Sequence, residues 1–289
     1  MFIITGATGQ LGRGIVEELL ALIPADQVGV SVRNPEKASD FAARGVRVRQ
    51  GDFGDAQSLL HAFEGATQLL LVSSNAAATG GDPLVQHRTA IDAARTAGVK
   101  RIVYTSQIAA SDSSAFSPAR DHAATETMLR ESGVAWTALR HGFYAASGVM
   151  FMGDALKSGV IAAPADGKVN WTTHADLAEA DALILASDGM FDGATPPLAS
   201  SQPLNLADLA TIASDLGNPV RRETISDDEL RSKMMTRGMP GGVLDIAAGF
   251  YFAARTGEFE TADTTLETLL RRAPTTMQSV IAAKVSGAS

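Results

Sequence analysis

The sequence contains no cysteine, which excludes disulfide bonds, thiolate-held zinc, iron–sulfur clusters and a cysteine nucleophile together. Histidine is scarce as well. His61, His87, His122, His141 and His174 show neither H-E-x-x-H nor H-x-H spacing, so no metal site is expected. Basic residues number 24 against 32 acidic ones, and a formal charge of −8 argues against binding to nucleic acid or anionic lipid, which need a basic face. Long apolar runs are missing too: the uncharged stretches at 66–81 and 142–153 are shorter or more polar than the roughly 20 apolar residues of a membrane helix. An apolar strand starting at Phe2 leaves no room for a signal peptide, so a cytoplasmic protein is expected. The 289 residues, 45% of them hydrophobic, suffice for one large domain or two unequal ones with a proper core.

The chain is organised around Met1 to Leu20. Phe2, Ile3 and Ile4 form a short run with β-propensity that stops at Thr5-Gly6-Ala7-Thr8-Gly9, after which Leu11, Ile15, Leu19 and Leu22 recur at helical spacing. A strand, a glycine turn and a helix in succession aim backbone N–H groups and the positive end of a helix dipole at one point, where a pyrophosphate can sit. The glycines Gly6, Gly9 and Gly12 follow G-x-x-G-x-x-G, a variant of the commoner G-x-G-x-x-G. Gly6 is expected to make the tight turn, Gly9 to admit the phosphates and Gly12 to let the helix pack close. The alternative is a plain βα turn; the βαβ pattern that follows favours the binding reading.

Val28 to Val32 reads as a second strand and runs into Arg33, 21 positions after Gly12. NAD-binding chains carry an acidic residue about there for the ribose hydroxyls. A guanidinium cannot accept from a ribose diol but suits a 2′-phosphate, so the cofactor implied is NADPH; otherwise Arg33 merely ends a strand. A third strand through Val46 and Val48 leads to Asp52, which can accept from an adenine amino group or cap the next helix, where Asp55 competes. Gln68 to Val72 is a continuous apolar strand, and Ser73, Ser74 and Asn75 follow at its carboxyl end, where open α/β sheets bind ligands. Asp82 to Gly98 is expected to be helical, with His87 solvated or packed on it. A strand from Arg101 to Thr105 leads to Ser106, a helix runs from Ala119 to Glu131, and a sixth strand from Val134 to Leu139. Six strands alternating with helices predict an α/β fold, a Rossmann-type doubly wound parallel sheet with a smaller C-terminal α/β part.

The regularity then falls off. Phe143, Tyr144, Met150, Phe151 and Met152 either wall an apolar pocket or belong to a core. Residues 174–187 are helical again, 189–203 look like a connection, Asn205 can cap a helix to Leu216, Pro219 to Ile225 can form a strand, and 227–237 and 243–256 look helical. The division expected is residues 1–142 as a dinucleotide-binding domain to which 169–188 return, with 143–168 and 189–289 as a smaller substrate-binding part.

Thr5-Gly-Ala-Thr-Gly-Gln-Leu-Gly12, Ser31-Val-Arg-Asn-Pro-Glu-Lys37, Ala97-Gly-Val-Lys-Arg-Ile-Val-Tyr-Thr-Ser106 and Glu131-Ser-Gly-Val134 together resemble the atypical, NmrA-like branch of the short-chain dehydrogenases. Within it the chain is most similar to bacterial type 2 NADPH:quinone oxidoreductases and triphenylmethane reductases. The likeness continues into Thr265–Leu270 and Pro274-Thr275. It implies that Gly6, Thr8, Gly9, Gln10, Leu11 and Gly12, then Arg33, Asp52, Phe53, Ser73, Ser74, Thr105 and Ser106 line NADP(H). It also implies an acceptor pocket between the nicotinamide and the C-terminal part, with Gln107, Phe143 and Tyr144 as candidate lining.

The wider superfamily uses Tyr-x-x-x-Lys, with tyrosine as general acid. Tyr104, Tyr144 and Tyr251 are followed four positions later by Ile108, Gly148 and Arg255, so that dyad is missing. Aligned on the family helix, His122 takes the lysine position and Pro118 that of the tyrosine. His122 is the candidate catalytic residue, orienting the nicotinamide ribose or donating to substrate; otherwise it is a histidine in a first helical turn. A ketone reduced to an alkoxide needs a positioned acid, whereas a quinone becomes a delocalised phenolate and a cationic triarylmethane dye becomes neutral. The expected function is therefore hydride transfer from NADPH to a quinone or similar electrophilic aromatic. The alternatives are a non-catalytic redox sensor of the NmrA type acting through a protein partner, and an isoflavone-reductase-like enzyme with another substrate. The expected partner is a small-molecule acceptor, with no nucleic acid and no membrane; a homodimer is left open.

Overall fold

The apolar runs become the strands β1 (Phe2–Thr5), β2 (Val28–Val32), β3 (Arg47–Gln50), β4 (Gln68–Leu71), β5 (Arg101–Gln107) and β6 (Ala135–His141) of the computed structural model, which describes residues 1–187 and 189–287. Between them lie α1 (Gln10–Leu22), α2 (Ser39–Ala43), α3 (Ala56–Phe63), α4 (Pro83–Thr96) and α5 (Ser117–Glu131). Asp55 caps α3 and Asp82 caps α4, each by accepting two backbone N–H groups, and Gly98 ends the α4 segment at φ +78°.

The chain then makes β7 (Phe143–Tyr144), α6 (Ala145–Met152), α7 (Ala155–Ser158), β8 (Val160–Ala163), β9 (Val169–Thr172) and α8 (His174–Ala186). It ends with β10 (Gly193–Ala194), β11 (Pro203–Leu204), α9 (Leu206–Asp215), β12 (Arg221–Thr224), α10 (Asp227–Thr236), α11 (Gly241–Arg255), α12 (Thr265–Leu270) and α13 (Met277–Val285). Asn205 caps α9 in a reciprocal pair with Asp208.

The main sheet runs β10-β6-β5-β4-β1-β2-β3, all parallel, one strand more than the sequence pattern indicates. The extra strand, Gly193–Ala194, lies inside the segment expected to be only a connection. Two small residues at a sheet edge carry no apolar period, so nothing in the sequence announces them. The order reverses at β1, between β4 and β2, which opens a crevice at the carboxyl ends of β1 and β4, the usual ligand site of such sheets. Leu11, Ile15 and Leu19 of α1 and Leu177 and Leu185 of α8 cover one face; Leu59, Phe63, Ile91 and Leu129 of α3, α4 and α5 cover the other.

A second core gathers Phe116, Trp171, Leu209, Phe250, Phe259 and Ile281. Around it lie a three-stranded sheet, β11-β9-β7, and the parallel pair β12-β8. Of the segment 169–188, α8 packs on α1 whereas β9 pairs in the small sheet; residue 188, like 288–289, lies outside the described residues. Leu266 and Leu270 of α12 pack against Ala180 of α8, and Met277 and Ile281 of α13 enter the second core. Buried Asp176 of α8 fixes this return, accepting from Arg272 Nη1 at 2.7 Å and from the Thr275 N–H at 2.8 Å.

Candidate active site

The turn after β1 has the geometry its glycines predict. Gly6 sits at φ +65°, where only glycine is unstrained, and its carbonyl accepts the Gly9 N–H at 2.9 Å. A Cβ on Gly12 would lie 2.4 Å from the Gly6 oxygen, so the helix approaches the turn too closely for any other residue. Gly9 is the N-cap of α1 and offers no side chain to the first turn, which leaves the leading N–H groups of the helix free for an anion. Thr8 and Gln10 are exposed beside it. Leu11 points into the core, so it can meet a cofactor only through its backbone.

Two arginines stand at the adjoining corner. Arg13 is engaged: it pairs with Asp40 and lies over the Phe41 ring at 4.7 Å. Arg33, exposed at the end of β2, has no hydrogen bond or ion pair among the described residues and keeps its five donors for a ligand. Asp52 does not cap α3, which Asp55 does. Its Oδ1 accepts from the Gly54 N–H at 2.8 Å, and the other carboxylate oxygen has no partner among the described residues, beside half-buried Phe53.

The strand-end residues divide into two groups. The Thr105 hydroxyl accepts from the Ser73 N–H at 2.8 Å, and Ser106 Oγ donates to Glu126 Oε1 at 2.7 Å. Both side chains are buried and committed within the protein, so any contact they make with a dinucleotide is through the backbone. Glu126 in turn takes a bidentate grip from Arg140 Nε and Nη2, at 3.1 and 2.7 Å. Ser73, Ser74 and Asn75 lie at the edge of the crevice, Asn75 exposed, while the Ser74 hydroxyl donates to Gln86 Oε1 and accepts from the Ala76 N–H.

His87 is neither solvated nor merely packed. Its Nε2 accepts the Ser74 N–H at 2.8 Å, which forces the ring hydrogen onto Nδ1, 2.8 Å from Thr125 Oγ1; Thr125 passes its own hydrogen to the Asp121 carbonyl. The imidazole is therefore neutral, and burial pushes its pKa down to about 4. Beside it Tyr104, fully buried, lies 2.8 Å from His122 Nδ1. Burial raises the Tyr104 phenol far above its usual range, and burial with nearby His87 and His141 pushes His122 down to about 3. A phenol donating to Nδ1 leaves the imidazole hydrogen on Nε2, which has no partner among the described residues.

The expected pocket residues separate as well. Phe143 packs its ring against Phe116, Trp171, Phe250 and Phe259 at 4.6–6.0 Å, and Phe151 stacks on Phe250 at 4.4 Å, so most of this aromatic cluster is core. Tyr144 is half-buried, stacked on His174 at 4.1 Å, and burial together with Asp181 pushes its phenol up to about 12. Gln107, half-buried, ends β5. A cavity of about 590 Å³ lies beside α5, lined by Leu84, Ser111, Arg120 and Arg130 together with Glu126 and Arg140, the pair that holds Ser106, and none of the residues expected at the site lines it directly.

The profile of a family described as NAD(P)H-binding matches residues 6–184, from the glycine turn to α8. This chain belongs to the NAD(P)H-binding family. Quinone oxidoreductase 2 of Escherichia coli is 38% identical over 279 residues, 96% of each chain. The NAD(P)H azoreductase of Xenophilus azovorans is 30% identical over 88% of this chain and 87% of its own. Among solved structures, the E. coli NADPH-dependent quinone oxidoreductase complexed with NADPH superposes with a TM-score of 0.89 at 37% identity, covering 99% of both chains. Triphenylmethane reductase of Citrobacter sp., complexed with NADP(H), gives 0.87 at 34% identity over 100% of both.

For a member of this family, the contacts hardest to see in the sequence are those of Tyr104 and His87 with α5. Alternation along β5 puts Ile102, Tyr104 and Ser106 on one face, and spacings of three and four put His122, Thr125, Glu126 and Leu129 on one side of α5. Each half of that signal is present in the sequence. Which helix face meets which strand face is decided only by packing.

Proposed function

We propose that the chain is an NADPH-dependent reductase that delivers hydride to a quinone or related electrophilic aromatic. The observation that carries this reading is that, among the described residues, neither Tyr104 nor Tyr144 is equipped as an acid. The Tyr104 hydroxyl is buried against His122, and burial with Asp181 pushes Tyr144 up to about 12. NADPH supplies two electrons and a hydrogen as hydride. The acceptor has to accommodate the resulting charge itself, as a quinone does in becoming a hydroquinone anion that then takes a proton from water. The Gly6–Gly12 turn holds the pyrophosphate, the free guanidinium of Arg33 the 2′-phosphate, and Asp52 the adenine amino group. His122 presents Nε2 toward the nicotinamide ribose or the acceptor. The full-length likeness to a quinone oxidoreductase and a dye reductase supports the same assignment.

Spectrophotometric NADPH oxidation with a panel of quinones, cationic dyes and simple ketones tests it. Quinones and dyes should turn over and ketones should be poor. His122→Ala should lower quinone turnover by clearly less than the roughly 10²–10⁴ lost with a general acid. Efficient ketone reduction that collapses in His122→Ala would make the protein a carbonyl reductase, and tight NADPH binding with no turnover of any acceptor would make it a sensor.

Arg33 carries the cofactor preference. A hydrogen bond to a charged group contributes about 1.5–3 kcal/mol, so NADPH should bind about ten- to a hundredfold more tightly than NADH, and Arg33→Asp should erase or reverse the difference in calorimetric titrations. Equal binding of the two cofactors to the wild type would remove Arg33 from the site.

A further inference from the structure

Beneath the junction of β5 and β6 lies a polar group that the scheme above leaves unused. His141, the last residue of β6, and Asp181 of α8 are 2% and 0% exposed and hydrogen-bonded, Nε2 to Oδ1, at 2.9 Å. Three buried atoms here lack partners among the described residues: His141 Nδ1, Asp181 Oδ2 and Gln107 Oε1. Gln107 and His141 are register partners on adjacent parallel strands, and the Ile108 N–H donates to the His141 carbonyl at 2.9 Å. Register partners share a face of the sheet, so both side chains leave neighbouring positions on the α8 face, with no direct hydrogen bond between Oε1 and Nδ1.

An unpartnered buried acceptor is costly enough to require an explanation. Oε1 can only accept, and the Nδ1 of an imidazole that gives its Nε2–H to Asp181 can only accept as well. A single water donating one hydrogen to Nδ1 and one to Oε1 satisfies both and holds the amide oxygen inward. The Gln107 nitrogen, which is not among the buried atoms, then turns its two hydrogens outward at the carboxyl end of β5, on the ligand side of the sheet.

We propose that Gln107 is a catalytic hydrogen-bond donor to the acceptor oxygen on which negative charge develops, and that His141 and Asp181 are positioning residues that hold its amide in that orientation. The inference rests on the quinone reading and deepens it: no proton is transferred, and an oriented dipole stabilises the phenolate oxygen formed when hydride arrives. It also separates the two acceptor classes. A quinone gathers charge on oxygen and gains from the donor. A cationic triarylmethane dye loses charge at carbon and has no such oxygen to offer.

The test compares kcat/KM for a soluble para-benzoquinone and for a cationic triarylmethane dye, with NADPH affinity measured for every variant. Gln107→Leu should lower the quinone value about ten- to a hundredfold more than the dye value. Gln107→Glu, isosteric but with no N–H and with a like charge beside the phenolate, should lower it further. Asp181→Leu and His141→Phe should reproduce the quinone-selective loss, and Asp181→Asn, which keeps an oxygen for Nε2–H, should recover most of it. A merely structural role would lower both acceptors and NADPH affinity in parallel, and that result, or an unchanged quinone rate in Gln107→Leu, would overturn the proposal. Gln107 is half-exposed at a strand end, so its variants stay folded even where the buried ones do not. A wild-type protein that reduces no quinone would instead remove the function on which the inference rests.

Discussion

Gly9→Val should bind NADPH at least a hundredfold more weakly than the wild type while keeping its fold. The substitution is chosen against its neighbours. At Gly12 a Cβ would meet the Gly6 carbonyl at 2.4 Å and at Gly6 the backbone itself is left-handed, so replacing either disturbs the turn along with any ligand. Gly9 has φ −87°, open to any residue, and its Cβ would lie 3.3 Å from the Gly6 oxygen, a contact relieved by a few tenths of an ångström. What a valine obstructs is the space in front of the free N–H groups of α1, where the phosphates approach. Thermal unfolding should place the variant within a few degrees of the wild type. Calorimetry showing normal NADPH affinity would mean that the pyrophosphate does not sit on this turn.

The second large effect is a loss of stability in mild acid centred on His87. Its neutral form is required by the Ser74 N–H, and its pKa of about 4 in the folded state lies below the ordinary value near 6.5 that it regains on unfolding. The unfolded chain therefore takes up this proton first as pH falls. The stabilisation is complete above about pH 6.5, declines as pH drops toward 4, and totals roughly 3 kcal/mol over that window. His87→Gln has nothing to titrate there. Urea unfolding of both proteins at about pH 7.5 and about pH 4.5 should show the wild type losing more stability than the variant, with carboxylate effects cancelling in the comparison. Equal losses would mean that His87 is charged in the fold or free of Ser74. Because Ser74 borders the crevice, cofactor affinity should hold through most of that range and weaken only as pH falls to about 4, where the folded protein itself takes up the proton.

The parts of this structure that were legible in the sequence are those whose signal is local. Phe2 to Ile4, Val28 to Val32 and Gln68 to Leu71 read as strands because strands covered on both faces are continuous apolar runs, and the glycine turn announces itself by spacing. Asp52 and Asp55 competed for one cap on paper, and only the backbone of α3 shows that Asp55 holds it. Thr105 and Ser106 lie near the carboxyl end of β5, which runs on to Gln107 rather than stopping at Thr105, and their hydroxyls bond elsewhere because Ser73 and Glu126 lie within reach in three dimensions. His141 and Asp181, 40 positions apart, show no motif at all. Their pairing follows from α8 returning across β6, which no periodicity encodes.

The second core has a consequence for protein engineering. Its buried residues come from four separated stretches, Ala109 to Ala119, Ala145 to Trp171, Leu204 to Phe259 and Met277 to Ile281, while α8 and α12 between them belong to the other unit. The part built on this core is thus not a cassette. A chimaera that exchanged everything after residue 142 for the corresponding region of a relative would also replace the helix covering α1, and one that spared α8 would need several junctions. On the proposed reading that Gln107 and Tyr144 face the acceptor, single substitutions around them are a more tractable route to a new acceptor range than grafting.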